Sequence, residues 1–384
     1  MPSTTRRSAL SAVAGVLGTL GGCSALSDDP LPIETAWRTG FHDPSSVGVT
    51  ADGTLVAGSH SPFADRTAVA RLDETTGETQ WSVTLPKGWR SPVAVRGTRA
   101  YLSSTAGLVA AVDTTAGEIQ WRRELDDGVG ERDSAVAFAP LPSADRVVVP
   151  LSADGDRGAD RLVGLSRADG SRVFDHRLDA TLAAAPGVTA GGVVAATLDG
   201  RLRRVAPDGE TAWERSVTPG SSAVAVADGT AYLVTGAERL SAVDTATGAS
   251  RWTARLDNTG FARPLVVGDR VYVGGANYSL RAFGTADGRE LWRDDLANAV
   301  THGPVAVGDR LVTLAGGECV TRGPSGTVPH SPVVLYVHDR DGRRVRSVRL
   351  GDDRVEWLAR AGETVYLGQA FGLARVAREA IVDG

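Results

Sequence analysis

Three residue types are nearly missing from this 384-residue chain: it holds two cysteines, one methionine and a single lysine, Lys87. The two cysteines, Cys23 and Cys319, stand far apart, which excludes a scaffold built on disulfides. Arginine carries almost all the positive charge, yet basic runs are absent and the formal net charge is −5. That balance argues against nucleic acid as a partner. The six histidines, at 42, 60, 176, 302, 330 and 338, have neither triad nor metal-ligand spacing. Gly-x-Ser-x-Gly elbows and Gly-rich phosphate loops are also absent. A membrane-spanning helix needs ~20 apolar residues, whereas the mild apolar run at 9–22 has about 14.

What the chain has in quantity is glycine, 46 residues, within a composition that is 42% hydrophobic. The glycines mark a repeated unit, clearest in Ser241-Ala-Val-Asp-Thr-Ala-Thr-Gly-Ala-Ser-Arg-Trp252. A short apolar strand ends at Val243. Asp244 then caps a turn whose Gly248 supplies positive φ, and a second strand carries Trp252. Turn glycines recur at Gly77, Gly117, Gly170, Gly209, Gly248, Gly288 and Gly342, with intervals of 40, 53, 39, 39, 40 and 54. The two long intervals are the same period plus an insertion. Each turn leads to a ring, at Trp81, Trp121, Phe174, Trp213, Trp252 and Trp292, except the last, which leads to Arg346. A period near 40 with several short strands per repeat is the sign of an all-β propeller blade. Ile33-Glu-Thr-Ala-Trp37 reads as an outer strand without its blade. Thr364-Val-Tyr-Leu-Gly368 and Gly372-Leu-Ala-Arg-Val376 read as a blade without its outer strand. Joining the two closes an eight-bladed ring of four-stranded antiparallel blades with no free edge.

The pattern Ala-x-Asp-x-x-x-Gly-x-x-x-Trp, intact at 111–121 and 242–252, resembles the tryptophan-docking repeat of the quinoprotein (PQQ-like) propeller family. That family includes PQQ-dependent dehydrogenases and non-enzymatic BamB-like lipoproteins. The resemblance covers about residues 33–384 and implies that each tryptophan packs between adjacent blades. Burying one ring removes roughly 150–250 Å² from water, a gross gain of about 4–6 kcal/mol per seam at ~25 cal/mol/Å². The rings are therefore core, not a cofactor box.

Residues 1–22 read as a targeting segment. Thr5-Arg6-Arg7-Ser8-Ala9-Leu10 is a twin-arginine start, in which Arg6 and Arg7 signal export of a folded protein. Leu20-Gly21-Gly22-Cys23-Ser24 resembles a lipobox, with a lipid expected on Cys23 and a polar linker over residues 23–32. Without residues 1–22 the balance is 39 basic against 46 acidic side chains, a net −7. The expected product is a monomeric lipoprotein on the outer face of the cell membrane. The near absence of lysine beside abundant Asp, Ala, Val and Gly resembles proteins of halophilic archaea; a GC-rich bacterial genome gives the same bias. An archaeal cell has no outer membrane, so a BamB-type assembly role would not carry over to one.

Loops ending near prolines precede several blades, at Arg90-Ser-Pro92, Ala185-Pro186, Arg263-Pro264 and Gly303-Pro304. In related propellers such loops line one mouth of the ring, where binding residues collect. Glu131, Asp133, Asn258, Phe261, Asn298 and His302 belong to this set and form the candidate binding face for a protein or peptide partner. Asp154-Gly-Asp156-Arg-Gly-Ala-Asp160 looks like a calcium loop but lacks a distal glutamate, so it reads as a hairpin tip. The insertion at 316–331 contains Cys319 and His330 without further ligands nearby, so no metal is expected. PQQ dehydrogenases of eight blades carry adjacent cysteines and a calcium-binding Glu/Asn/Asp set. This chain has no adjacent cysteines, so neither PQQ nor calcium is expected and no catalytic residue is assigned. A divergent PQQ-dependent dehydrogenase and an extracellular small-ligand sensor stand as alternatives to the scaffold.

Overall fold

The computed structural model describes residues 31–382 except 42–43, 51–54, 60–66, 86–90, 105–106, 126–137, 152–159, 219–223, 236–237, 258–262, 317–331, 352–354 and 370–371. The twin-arginine pair Arg6 and Arg7, Cys23, Cys319 and His330 lie outside the described residues. So do Glu131, Asp133, Asn258 and Phe261 of the candidate face.

Eight four-stranded antiparallel sheets form the described chain. Seven are continuous in sequence, at 44–84, 94–124, 141–177, 187–216, 225–255, 265–295 and 300–351, and are called blades 1 to 7. Blade 8 combines both ends: Trp357–Ala361, Thr364–Gln369 and Gly372–Val376 are joined at the outer edge by Thr35–Thr39, which pairs with Gly372–Val376. The ring is a β-propeller, tied shut by its N-terminal strand as the sequence predicts.

Strands form where β-branched and aromatic residues alternate between faces, and the second and third strands of each blade are buried on both sides. Arg99–Ser103 and Leu108–Asp113 in blade 2 show this, with Tyr101, Val109 and Ala111 fully enclosed. Each ring of the outer strands stands on the turn glycine of the following blade. A Cβ added at Gly77, Gly117, Gly170, Gly248, Gly288 or Gly342 would come within 2.4–2.7 Å of the preceding blade's indole. The indole N–H then donates to a carbonyl of the same turn: Trp213 to Thr245 at 3.0 Å, Trp252 to Thr285 at 2.7 Å, Trp292 to Arg340 at 2.9 Å. Asp244 holds its turn in place by accepting from the amides of Ala246 and Thr247 at 3.0 and 2.9 Å.

The seam between blades 7 and 8 departs from this rule for a topological reason. In blade 8 the turn that would receive a ring is broken, because the chain's two ends meet there. A short helix, Glu379–Val382, sits instead, with Ala380 and Ile381 buried against Leu31 and Ile33. Arg346 reaches it and donates to the Ala380 carbonyl at 2.9 Å. A guanidinium suits a helical carbonyl, where an indole would have no glycine to stand on.

Strand register shows what fills the space beneath each ring. In blades 2, 5 and 6 the tryptophan lies beside an alanine of the third strand and a buried tyrosine of the second, Tyr101, Tyr232 and Tyr272. Tyr and Trp ring centroids there are 5.9–6.2 Å apart. In blades 1 and 4 an arginine takes the third-strand position, Arg71 beside Trp81 and Arg204 beside Trp213. Blade 8 has both, Tyr366 and Arg375 beside Trp37. These are two solutions to one volume problem: a phenol or a guanidinium.

Candidate binding surface at the channel wall

The innermost strand of each blade faces the central channel, and the loops leading into these strands carry the candidate residues. In blade 7 the strand Val300–Val307 is irregular, with register shifts on both sides of His302 against the neighbouring strand. Bulges of this kind re-aim a side chain. His302 thereby lines a recess of about 490 Å³ that spans blades 5, 6 and 7, together with Arg263, Thr301 and the apolar Pro264, Leu265 and Val305.

Burial pushes the His302 imidazole below its usual range, so it is neutral near pH 7 and offers one donor and one acceptor. Desolvation by the surrounding protein lowers the Arg263 guanidinium, although the residue is exposed to solvent. Even lowered, an arginine stays cationic. The Thr301 hydroxyl is committed to the Gly316 carbonyl at 3.1 Å. Asn298 does not line the recess; it is half-buried before blade 7, its side-chain amide donating to the Pro332 carbonyl at 3.2 Å. Of the six candidate residues, the structure describes Asn298, just before the first strand of blade 7, and His302, within that strand. Arg263 was not singled out by sequence, although its place before a proline between two blades was the available signal.

Chemically, the recess presents a fixed cation, a neutral imidazole and apolar walls. Its lining among the described residues includes no carboxylate or thiol, and no group of three or more metal-ligating side chains occurs among the described residues. Asp160, the end of the calcium-like segment, is buried with its carboxylate accepting from the Leu182 amide at 2.6 Å, a structural role. Two other titratable groups are engaged in packing. His338 stacks on Trp292 at 6.2 Å and bonds Asp294 through Nε2 at 2.7 Å, while burial pushes its pKa down. Burial likewise raises the Tyr366 phenol to about 12.

A family model described as outer membrane protein assembly factor BamB matches residues 65–183, 156–219 and 198–354. The chain is similar in structure to BamB from Moraxella catarrhalis, with a TM-score of 0.66 and 16% identity over 89% of this chain and 99% of that one. It is similar to the computationally designed Ika8 protein, with a TM-score of 0.70 and 14% identity over 89% and 99% of the two chains. Saccharomyces cerevisiae Sqt1 gives 0.66 and 12% over 90% and 98%. Likenesses at these identities show the fold alone. No curated protein matches the chain in sequence.

Proposed function

The chain belongs to the family of the outer membrane protein assembly factor BamB, and on that premise we propose that it is a non-enzymatic, protein-binding propeller scaffold. In this reading the chain is exported through its twin-arginine segment. A lipid on Cys23 holds it to the outer face of the cell membrane, and the rigid ring presents one mouth to a polypeptide. No helix among the described residues is long and apolar enough to cross a membrane.

The observation that supports binding over chemistry is the recess itself. Arg263 supplies charge for a carboxylate or backbone carbonyl, His302 supplies a neutral donor–acceptor pair, and Leu265 and Val305 supply apolar wall. Together they suit an extended peptide with an acidic side chain. The recess volume also suits a small anion, which keeps the extracellular sensor as the second reading.

Position-specific photo-crosslinking tests the proposal. A photo-reactive side chain at position 263 should give discrete polypeptide adducts in membranes, and one at Ile119, exposed on an outer strand, should give none. Equal labelling from both positions, or none from position 263, would remove the scaffold reading at this mouth.

A further inference from the structure

Blade 3 has neither a phenol nor a guanidinium beneath its ring. Its counterpart of the Tyr–Ala–Trp or Val–Arg–Trp set is Val148, Gly164 and Phe174, paired in register across three strands. The second strand has lost the phenol, the third has no guanidinium, and the fourth has a phenyl where the other described seams with a turn glycine carry an indole. The facing turn of blade 4 is trimmed as well. In blades 3 and 7 the residue after the turn's first position is an arginine, Arg167 or Arg340, and Arg167 donates to the Tyr101 hydroxyl at 3.0 Å across its seam. In blade 4 that residue is Pro207. The innermost strand of blade 3 is also reduced to Leu141–Pro142, two residues.

These losses converge on one place. A cavity of about 360 Å³ opens between blades 3 and 4, lined by the apolar Val148, Phe174, Val193, Val205 and Pro207 and by polar residues that include Arg96, Asp145, Arg146 and Thr189. Phe174 leans over Gly164, where a Cβ would stand 2.2 Å from its ring. Its ring lies over Gly164 of its own blade while its Cβ and Cγ stand on Gly209 of blade 4, and the phenyl, smaller than an indole, leaves room beside it in the seam. Its lack of an N–H leaves the turn without the donor that an indole gives elsewhere. His176 meets the same turn at a different carbonyl, its Nδ1 lying 2.8 Å from that of Gly209.

We propose that this cavity is a binding site for a planar aromatic ring bearing a hydrogen-bond donor, an indole or a phenol. The site is the negative of the rings that its sister blades contain. Apolar cavities left by missing rings bind small aromatic molecules of matching shape, and this one lies within the range of about 300–1,000 Å³ that ligand sites occupy. It stands apart from the channel recess and does not depend on the scaffold reading.

Titration of the full-length protein with indole and p-cresol, followed by calorimetry and ligand-observed NMR, tests it. Both should saturate, with cyclohexanol, of similar size but not planar, at least ~10-fold weaker. Phe174→Trp should weaken indole at least ~10-fold while raising the melting temperature, because it fills the space. Val148→Tyr fills it from the second strand and should weaken indole likewise, so the test survives if the first variant fails to fold. N-acetyltryptophanamide distinguishes the source: tighter binding than indole assigns the site to an aromatic side chain of a polypeptide, and equal or weaker binding to a free aromatic molecule. Absence of saturation for indole, cyclohexanol binding as tightly as indole, or unchanged indole affinity in a folded variant would overturn the proposal.

Discussion

Replacing Gly248 by alanine, beside the matched change at Gly229, isolates the contact that holds one blade to the next. Both glycines lie in blade 5 with nearly the same backbone, φ +73 at Gly248 and +70 at Gly229. Alanine at either position pays about 1–2 kcal/mol for left-handed geometry. The surroundings differ. A Cβ at Gly248 would stand 2.7 Å from the Trp213 indole and 3.2 Å from the Arg215 side chain, whereas one at Gly229 meets nothing within 4 Å. The indole is 7% exposed and tethered to Thr245 through its N–H, so it cannot swing aside without losing that bond. Forcing a methyl group into such a seam costs about a further 1–3 kcal/mol. Gly248→Ala should therefore lower stability by roughly 2–5 kcal/mol and Gly229→Ala by only about 1–2. Urea unfolding followed by tryptophan fluorescence measures both. Equal losses in the two variants would refute the docking account.

Other consequences follow from individual contacts. Ile381→Ala should cost about 2–5 kcal/mol as a buried truncation, and should raise hydrogen exchange in Thr35–Thr39, because Ile381 packs in the closing seam; exchange confined to the C-terminal residues would contradict this. His302 and His338 both have folded pKa values below the ordinary 6.5, so the unfolded chain binds more protons near that pH. Stability should be full above 6.5 and fall on acidification from there toward the lowered folded values, and melting temperatures across pH 5–8 check the sign. The Asp244 carboxyl, held down to about 2 first by the Arg251 hydrogen bond and then by the Thr247 amide, should contribute stability that is present above 3.8 and lost only as pH falls through about 2. Carbon-detected NMR titration reads it directly, and Arg251→Ala should move it upward.

The ring was legible because its seams are made of residues that admit few substitutes. A turn needing positive φ against an indole face calls for glycine, so Gly77 to Gly342 mark out the blades, and Trp37 without a blade of its own announced the closure. Arg346 was legible only as a degraded copy. Its cause, the helical turn at Ala380 that replaces a docking glycine, depends on where two chain ends meet in space. The alternation of tyrosine and arginine beneath the rings was hidden for a related reason. Val148 and Gly164 are ordinary residues for a buried strand, and they mean something only once register sets them beside Phe174. The candidate face was read from loops before prolines. That signal reached Asn298 and His302 but passed over Arg263, whose role comes from the irregular strand in blade 7 that turns His302 into the same recess.

The scaffold account stands or falls on whether the ring holds a redox cofactor. Calorimetric titration of the full-length protein with PQQ in the presence of calcium should give no saturable heat and no change in tryptophan fluorescence. Saturable binding at micromolar concentration or below would contradict the account and place the protein with the dehydrogenases.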